Sequence, residues 1–272
     1  MAIHPTAVIA REAELDTTVD VGPYVVIEGA VRVGPGTRIL AHVYLSGWTE
    51  IGKECEIHPF AVVGAPPQDF HYHGERSYTK IGDRVVIREG ATVHRGTQPE
   101  SPTVIGDECL LMAYAHVGHN CRISRGAKIY NLAALSGYVE IGESAIVSGY
   151  SGIHQFTRVG TLAFISGAAR ITMDVPPFMT AFGESTIVQY NAIGMKRSGY
   201  TAEDINEIRL AFHILYRSGR LFSKSVEQVT STVKTRAGRQ LAEFLTGESK
   251  RGYCMGSPGH RQRREASPTG TE

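Results

Sequence analysis

The chain predicts a mainly β fold, a left-handed parallel β-helix of hexapeptide repeats followed by a small C-terminal α-helical domain. Three observations lead there. An aliphatic residue returns at every sixth position from Ile3 to Ile171, interrupted only at Asp69, Glu75 and Pro99. Four places after most of these rungs sits a small or β-branched residue, as at Ala7, Val25, Thr37, Cys55, Ala61, Ala91, Cys109 and Cys121. Beyond Thr201 the spacing changes, with Ile205, Ile208, Phe212 and Leu215 forming one helical face. A period of six suits neither a 3.6-residue helix nor an alternating hairpin sheet, and short repeats of this kind signal a solenoid.

Residues 1–190 form the β-helix in this reading. Each hexad makes one short strand and one turn, its rung points inward, and three hexads close a coil that is stable only when stacked on others. Glycines that follow rungs, such as Gly22, Gly34, Gly52 and Gly106, are expected to serve corners that need unusual backbone angles. Two insertions, at about 65–80 and 98–104, interrupt the ladder, which then resumes in phase. Counting coils across them places Val63, Val93, Val117, Leu135 and Ile153 in one column. His94 and His154 directly follow two of these rungs and His119 stands one place further on, so both insertions leave from the edge that carries histidines. Such an edge is the expected site.

The repeat ends at Asp174–Pro177, where two prolines oppose a regular ladder. Residues 191–246 are expected to be helical. Thr201 with Asp204 makes a capping pair, Gly219 stops the first long helix, and a second helical region from Ser223 to Leu245 breaks near Gly238. Residues 247–272, polar and turn-rich, read as a disordered tail.

With 28 Lys and Arg against 27 Asp and Glu, the formal charge is +1. Nucleic acid or an anionic membrane surface is therefore not the expected partner. No apolar run is long enough to span a bilayer, and Ile3 already enters the first repeat, so neither stable membrane insertion nor a signal peptide is expected. Cys55, Cys109 and Cys121 occupy small inward slots without CxxC spacing. That argues against a zinc knuckle and for a reducing cytoplasm.

The segment AHVGHNC sets His116 and His119 three apart across a turn. A histidine there could take a proton from a sugar hydroxyl near neutral pH. A metal site is the competing reading. At about 4.8 Å per coil, His94 and His154 are roughly 14 Å apart, too far for one ion. His94, His116 and His119 could hold zinc only if a neighbouring subunit supplied one of them.

Six ordered segments bear a resemblance. QDFHYHGE (68–75), IREGATVHRGT (87–97), LLMAYAHVGHNC (110–121), GIHQF (152–156), DVPP (174–177) and KRSGY (196–200) together resemble the UDP-N-acetylglucosamine O-acyltransferases, which catalyse the first step of lipid A synthesis. The resemblance covers nearly everything from Ile3 to about Gly219. It implies that His119 is the general base for the glucosamine 3-hydroxyl, which attacks the thioester of a 3-hydroxyacyl group on acyl carrier protein. It implies that the Gly137 backbone N–H stabilises the oxyanion. Asp69, His71, His94, His116, His154 and Gln155 would bind the sugar or the polar groups of the acyl chain, and Asn191 and Arg197 the nucleotide. Gly167 falls where the acyl groove is closed, and its missing side chain leaves room for a longer chain. A homotrimer with the site between subunits is implied, as is the absence of any metal or cofactor, the phosphopantetheine arm being part of the donor substrate.

The sequence departs from the family pattern at Asn120, where many members carry Asp, and at His71, Tyr138, Ile193 and Ser198. These departures touch the acceptor, which in some relatives is a 3-amino sugar. Two other readings remain beside this one, a zinc lyase of the γ-class carbonic anhydrase type and a non-catalytic hexapeptide scaffold. The carbonic anhydrase reading leaves QDFHYHGE, HRGT and GIHQF without a purpose.

Overall fold

In the computed structural model, which describes residues 2–257, three parallel sheets of twelve, nine and eight strands make the walls of a triangular prism. The first sheet begins with Ala2–Ile3, the second with Val8–Ile9 and the third with Glu14–Leu15. Most strands are two residues long, and each pairs with the strand one coil on. The histidine-bearing column runs Val63↔Val93↔Val117↔Leu135↔Ile153 through the second sheet. From Val21 onward the rungs are buried, whereas Ile3 at the open end is 41% exposed. Each buried aliphatic side chain contributes about 1.5–3 kcal/mol, so the repeated column, not local propensity, holds strands this short.

Corner chemistry differs from the expectation. The left-handed residues stand three places after the rung and most are not glycine, as at Tyr24, His42, Phe60, Tyr114, Asn120, Tyr138 and Phe156. Glycines one place after the rung have another cause, close approach of stacked backbones. A Cβ on Gly34 would lie 2.8 Å from the Gly52 carbonyl carbon, and one on Gly106 would lie 2.8 Å from Arg125 N. The inward cysteines are free thiols whose Sγ atoms lie against carbonyls of the next coil.

Both insertions leave where the second sheet turns into the third. The first runs between strands Val62–Ala65 and Tyr78–Ile81, the second between Thr92–His94 and Pro102–Ile105. At its far end the first sheet closes in an antiparallel hairpin, Met179–Phe182 with Thr186–Tyr190. Four helices follow: α1 (Ala192–Arg197), α2 (Ala202–Arg217), α3 (Phe222–Thr232) and α4 (Arg236–Thr246). Thr201 and Asp204 form a reciprocal capping box on α2. The break between α3 and α4 lies at 233–235, not at Gly238. Glu207 of α2 accepts bonds from Lys234 N and Thr235 N, and Thr235 caps α4 through Gly238 N. Gly238 sits in the first turn because a Cβ there would collide with Glu207.

The reading of everything after 246 as disordered is corrected for 247–257. Cys254 N donates to Asp174 O and Asp174 N to Gly252 O, and Met255–Gly256 adds a strand beside Thr186–Ile187. Buried Asp174 also holds Arg158 at 2.8 Å, and Tyr253 and Phe244 pack over that guanidinium. Buried Cys254, half-buried Tyr253 and one buried ion pair tie down a stretch whose average polarity suggested a tail. Residues 258–272, with Arg261, Arg263 and Arg264, lie outside the described residues. No helix among the described residues is long and apolar enough to cross a membrane.

Candidate active site

Arg95, His119, Gly137 and Gln155 occupy the same place, two residues after the rung, in successive coils. The stack therefore aligns them along one edge of the prism. His119 is almost buried, 8% exposed. Its Nδ1 lies 3.1 Å from Asn120 Oδ1, and that oxygen also accepts from Thr97 N and Thr97 Oγ1, both at 2.9 Å. The Thr97 backbone N–H is an obligatory donor, so the atom facing it is the carboxamide oxygen. Asn120 Nδ2 donates to Ser101 Oγ, and Asn120 N to Thr103 Oγ1. An oxygen without a hydrogen can bond Nδ1 only if Nδ1 carries the proton. The neutral ring then keeps its lone pair on Nε2.

Nε2 faces two groups. Asp69 Oδ2 in the first insertion stands 3.4 Å away, beyond a good hydrogen bond. Hydrogen bonds from the backbone N–H and then the side chain of His71 hold the Asp69 carboxyl below the usual carboxylate range. Gly137 lies on the other side, and a Cβ built there would collide with Cε1 and Nε2 of His119. The Gly137 N–H has no hydrogen-bond partner among the described residues, while its carbonyl accepts from Phe156 N. Tyr138 stands edge-on to the imidazole with centroids 5.2 Å apart, and its hydroxyl meets Thr97 Oγ1 at 3.1 Å.

His94, one coil below, packs edge to face with His116 of the His119 coil, centroids 5.3 Å apart. Burial first, then the neighbouring rings, pushes His116 down to about 4, and burial also lowers His94. Both are neutral near pH 7. His94 Nδ1 donates to Pro66 O at 2.6 Å, pinning the start of the first insertion, and His116 Nδ1 meets Thr92 Oγ1. Among the described residues no three His, Cys, Asp or Glu side chains gather as a metal site.

The remaining sequence candidates separate into two groups. His154 and Gln155 lie on the same edge, with the exposed His154 bonded through Nδ1 to Gln155 O. Gly167, Asn191 and Arg197 belong to the first-sheet side of the chain, away from this edge. Gly167 is exposed, with Gly149 O as the nearest atom to a Cβ there, at 3.5 Å. The Asn191 amide is engaged in the fold, capping α1 through Gly194 N and donating to Leu162 O. Arg197 is exposed. Sequence reasoning missed Thr97, Ser101 and Arg95 as parts of the site, and met Tyr138 only as a departure from the family pattern. HRGT hinted at two of them, but their partners depend on how two insertions fold back.

With this geometry in place, comparison with known proteins is direct. A family model described as UDP N-acetylglucosamine O-acyltransferase, domain 2, matches residues 174–254. The chain is 40% identical over 255 residues to an acyl-[acyl-carrier-protein]–UDP-N-acetylglucosamine O-acyltransferase of Thermodesulfovibrio yellowstonii, covering 93% of this chain and 98% of that one. Identity to the protein of the same name from Anaeromyxobacter is 44% over 231 residues, or 84% and 90% of the two chains. The solved UDP-N-acetylglucosamine acyltransferase of Francisella novicida superposes with a TM-score of 0.91 at 34% identity, covering 95% of each chain.

Proposed function

The chain belongs to the UDP-N-acetylglucosamine O-acyltransferase family, and from that premise we propose how its own residues transfer an acyl group from acyl carrier protein to UDP-N-acetylglucosamine, the first step of lipid A synthesis. The observation that carries the reading is the His119–Asn120–Thr97 arrangement, which leaves Nε2 as the proton acceptor. Nε2 takes the proton of the sugar 3-hydroxyl as its oxygen attacks the thioester carbonyl of a 3-hydroxyacyl group. The Gly137 N–H donates to the oxyanion of the tetrahedral intermediate. Collapse breaks the C–S bond, and the thiolate of the phosphopantetheine arm takes the proton back from Nε2. Asp69 stabilises the imidazolium between these steps and, with His71, His94, His116, His154 and Gln155, meets the sugar and the acyl hydroxyl. The scheme uses no metal or resident cofactor.

A second copy of the chain completes the site. Tyr24, Phe60, Tyr114, Leu132 and Tyr150 are exposed along the corner between the first and second sheets, and Tyr24, His42 and Phe60 stack there at 5.1 Å. A homotrimer closed on this apolar stripe would set the first-sheet side of one protomer, with Gly167, Asn191 and Arg197, against the histidine edge of its neighbour. Exposed Arg209, Arg220 and Arg239 in the helical region give an acidic carrier protein a basic surface. Free buried thiols suit a reducing cytoplasm.

The test is to incubate purified protein with UDP-N-acetylglucosamine and a 3-hydroxyacyl carrier protein and to analyse the sugar nucleotide by mass spectrometry. The expected product is a single ester at the 3-position, formed in proportion to released carrier thiol. Thioester left intact, or thiol released without ester, contradicts the reading.

A further inference from the structure

We propose that Arg95 is the positioning residue that fixes the first insertion over the site and thereby places Asp69 against His119. The inference rests on the transferase reading above and concerns a residue with no role in the transfer scheme. Arg95 stands one coil below His119 on the same edge. Its Nε and Nη2 both donate to the Tyr72 hydroxyl, at 3.1 and 2.9 Å, and its Nη1 donates to Gly64 O at 3.1 Å. The guanidinium lies over the rings of Trp48 and Tyr72, 5.5 Å from each centroid. It reaches past the coil before it to the one beyond, where a Cβ on Gly47 would collide with Nη1.

The insertion has few other holds on its middle. Its ends are tied, Pro66 O to His94 and Arg76 O to Glu100 N. Between them Phe70 is fully exposed and the His71 side chain 87% exposed. Tyr72 N donates to Asp69 O, so Asp69 to Tyr72 is one turn. Tyr72 OH in turn donates to Glu75 O. Holding the Tyr72 hydroxyl therefore holds the turn that presents Asp69 Oδ2 at 3.4 Å from His119 Nε2. A planar fork with two parallel N–H donors and a stacking face suits this task. A lysine ammonium has neither feature.

Removing the clamp leaves Asp69 intact but misplaced, and misplacement of about 1 Å can cost a hundredfold in rate. Arg95→Ala is expected to lower kcat/KM for the sugar nucleotide by about ten- to a hundredfold. Adding Asp69→Asn to Arg95→Ala should cost little more, because the carboxylate is already out of place. Amide hydrogen exchange over residues 66–76 should rise in Arg95→Ala and Arg95→Lys and stay unchanged in Asp69→Asn. Tyr72→Phe, which removes the hydroxyl that accepts from Arg95 together with its bond to Glu75 O, should reproduce the exchange and rate changes and serves if Arg95→Ala folds poorly. Losses that multiply in the double variant, or exchange unaltered in Arg95→Lys and Tyr72→Phe, overturn the proposal. Wild-type protein that transfers no acyl group would count against the function reading instead, and the exchange measurement would still decide the clamp.

Discussion

His119→Ala is expected to lower the rate of ester formation by about a hundred- to ten-thousandfold, the range for losing a positioned general base. A sugar hydroxyl is a poor nucleophile until its proton leaves, and Nε2 is the one ring nitrogen of His119 with its lone pair unused. Fold and substrate binding should survive, because the substitution removes a ring on the prism edge and leaves the rungs Val117 and Leu135 untouched. The check is steady-state transfer beside thermal melting. A melting temperature within a few degrees of wild type, with kcat collapsed and KM for the sugar nucleotide little changed, is the expected pattern. Unaltered kcat would remove His119 from the chemistry.

Gly137→Ala should lower kcat by about a hundredfold or more without unfolding the protein. The Gly137 backbone lies outside the left-handed region, so alanine costs no conformational strain there. Space is the difficulty. The added methyl would collide with Cε1 and Nε2 of His119, so the imidazole must swing away and its bond to Asn120 must lengthen or break. Kinetics at saturating substrate, with a melting curve for stability, separate this displacement from unfolding. Normal kcat in Gly137→Ala would show that His119 need not sit where the structure has it.

The prism was legible because its signal is periodic. One count of six, kept in phase across both insertions, put Val63, Val93, Val117, Leu135 and Ile153 in one column and so put His94, His119 and His154 on one edge. What the count could not reach depends on irregular chain. The turn from Asp69 to Tyr72, its hold on Arg95 and the meeting of Thr97 and Ser101 with Asn120 arise from insertions without a repeat. Asn120 stood out in the sequence only as a departure from the Asp that many members carry. In the fold its amide is a three-way junction joining the second insertion to the ring of His119. Glycine misled in the opposite direction, since Gly34 and Gly106 are small for the sake of the next coil, while tyrosines, phenylalanines and Asn120 take the left-handed corners. Tyr253 and Cys254 were lost among polar neighbours, although a half-buried ring and a buried thiol are enough to bring 253–256 back to the first sheet.

The claim that His119 serves as the base for a hydroxyl nucleophile is tested most directly by changing the nucleophile. Transfer by wild type and His119→Ala is measured with UDP-N-acetylglucosamine and with its 3-amino analogue, whose neutral amine attacks a thioester without first losing a proton. If the account holds, His119→Ala loses ester formation about a hundredfold or more relative to wild type and loses amide formation far less. An equal loss with both acceptors would mean that His119 only binds the sugar, and would contradict it.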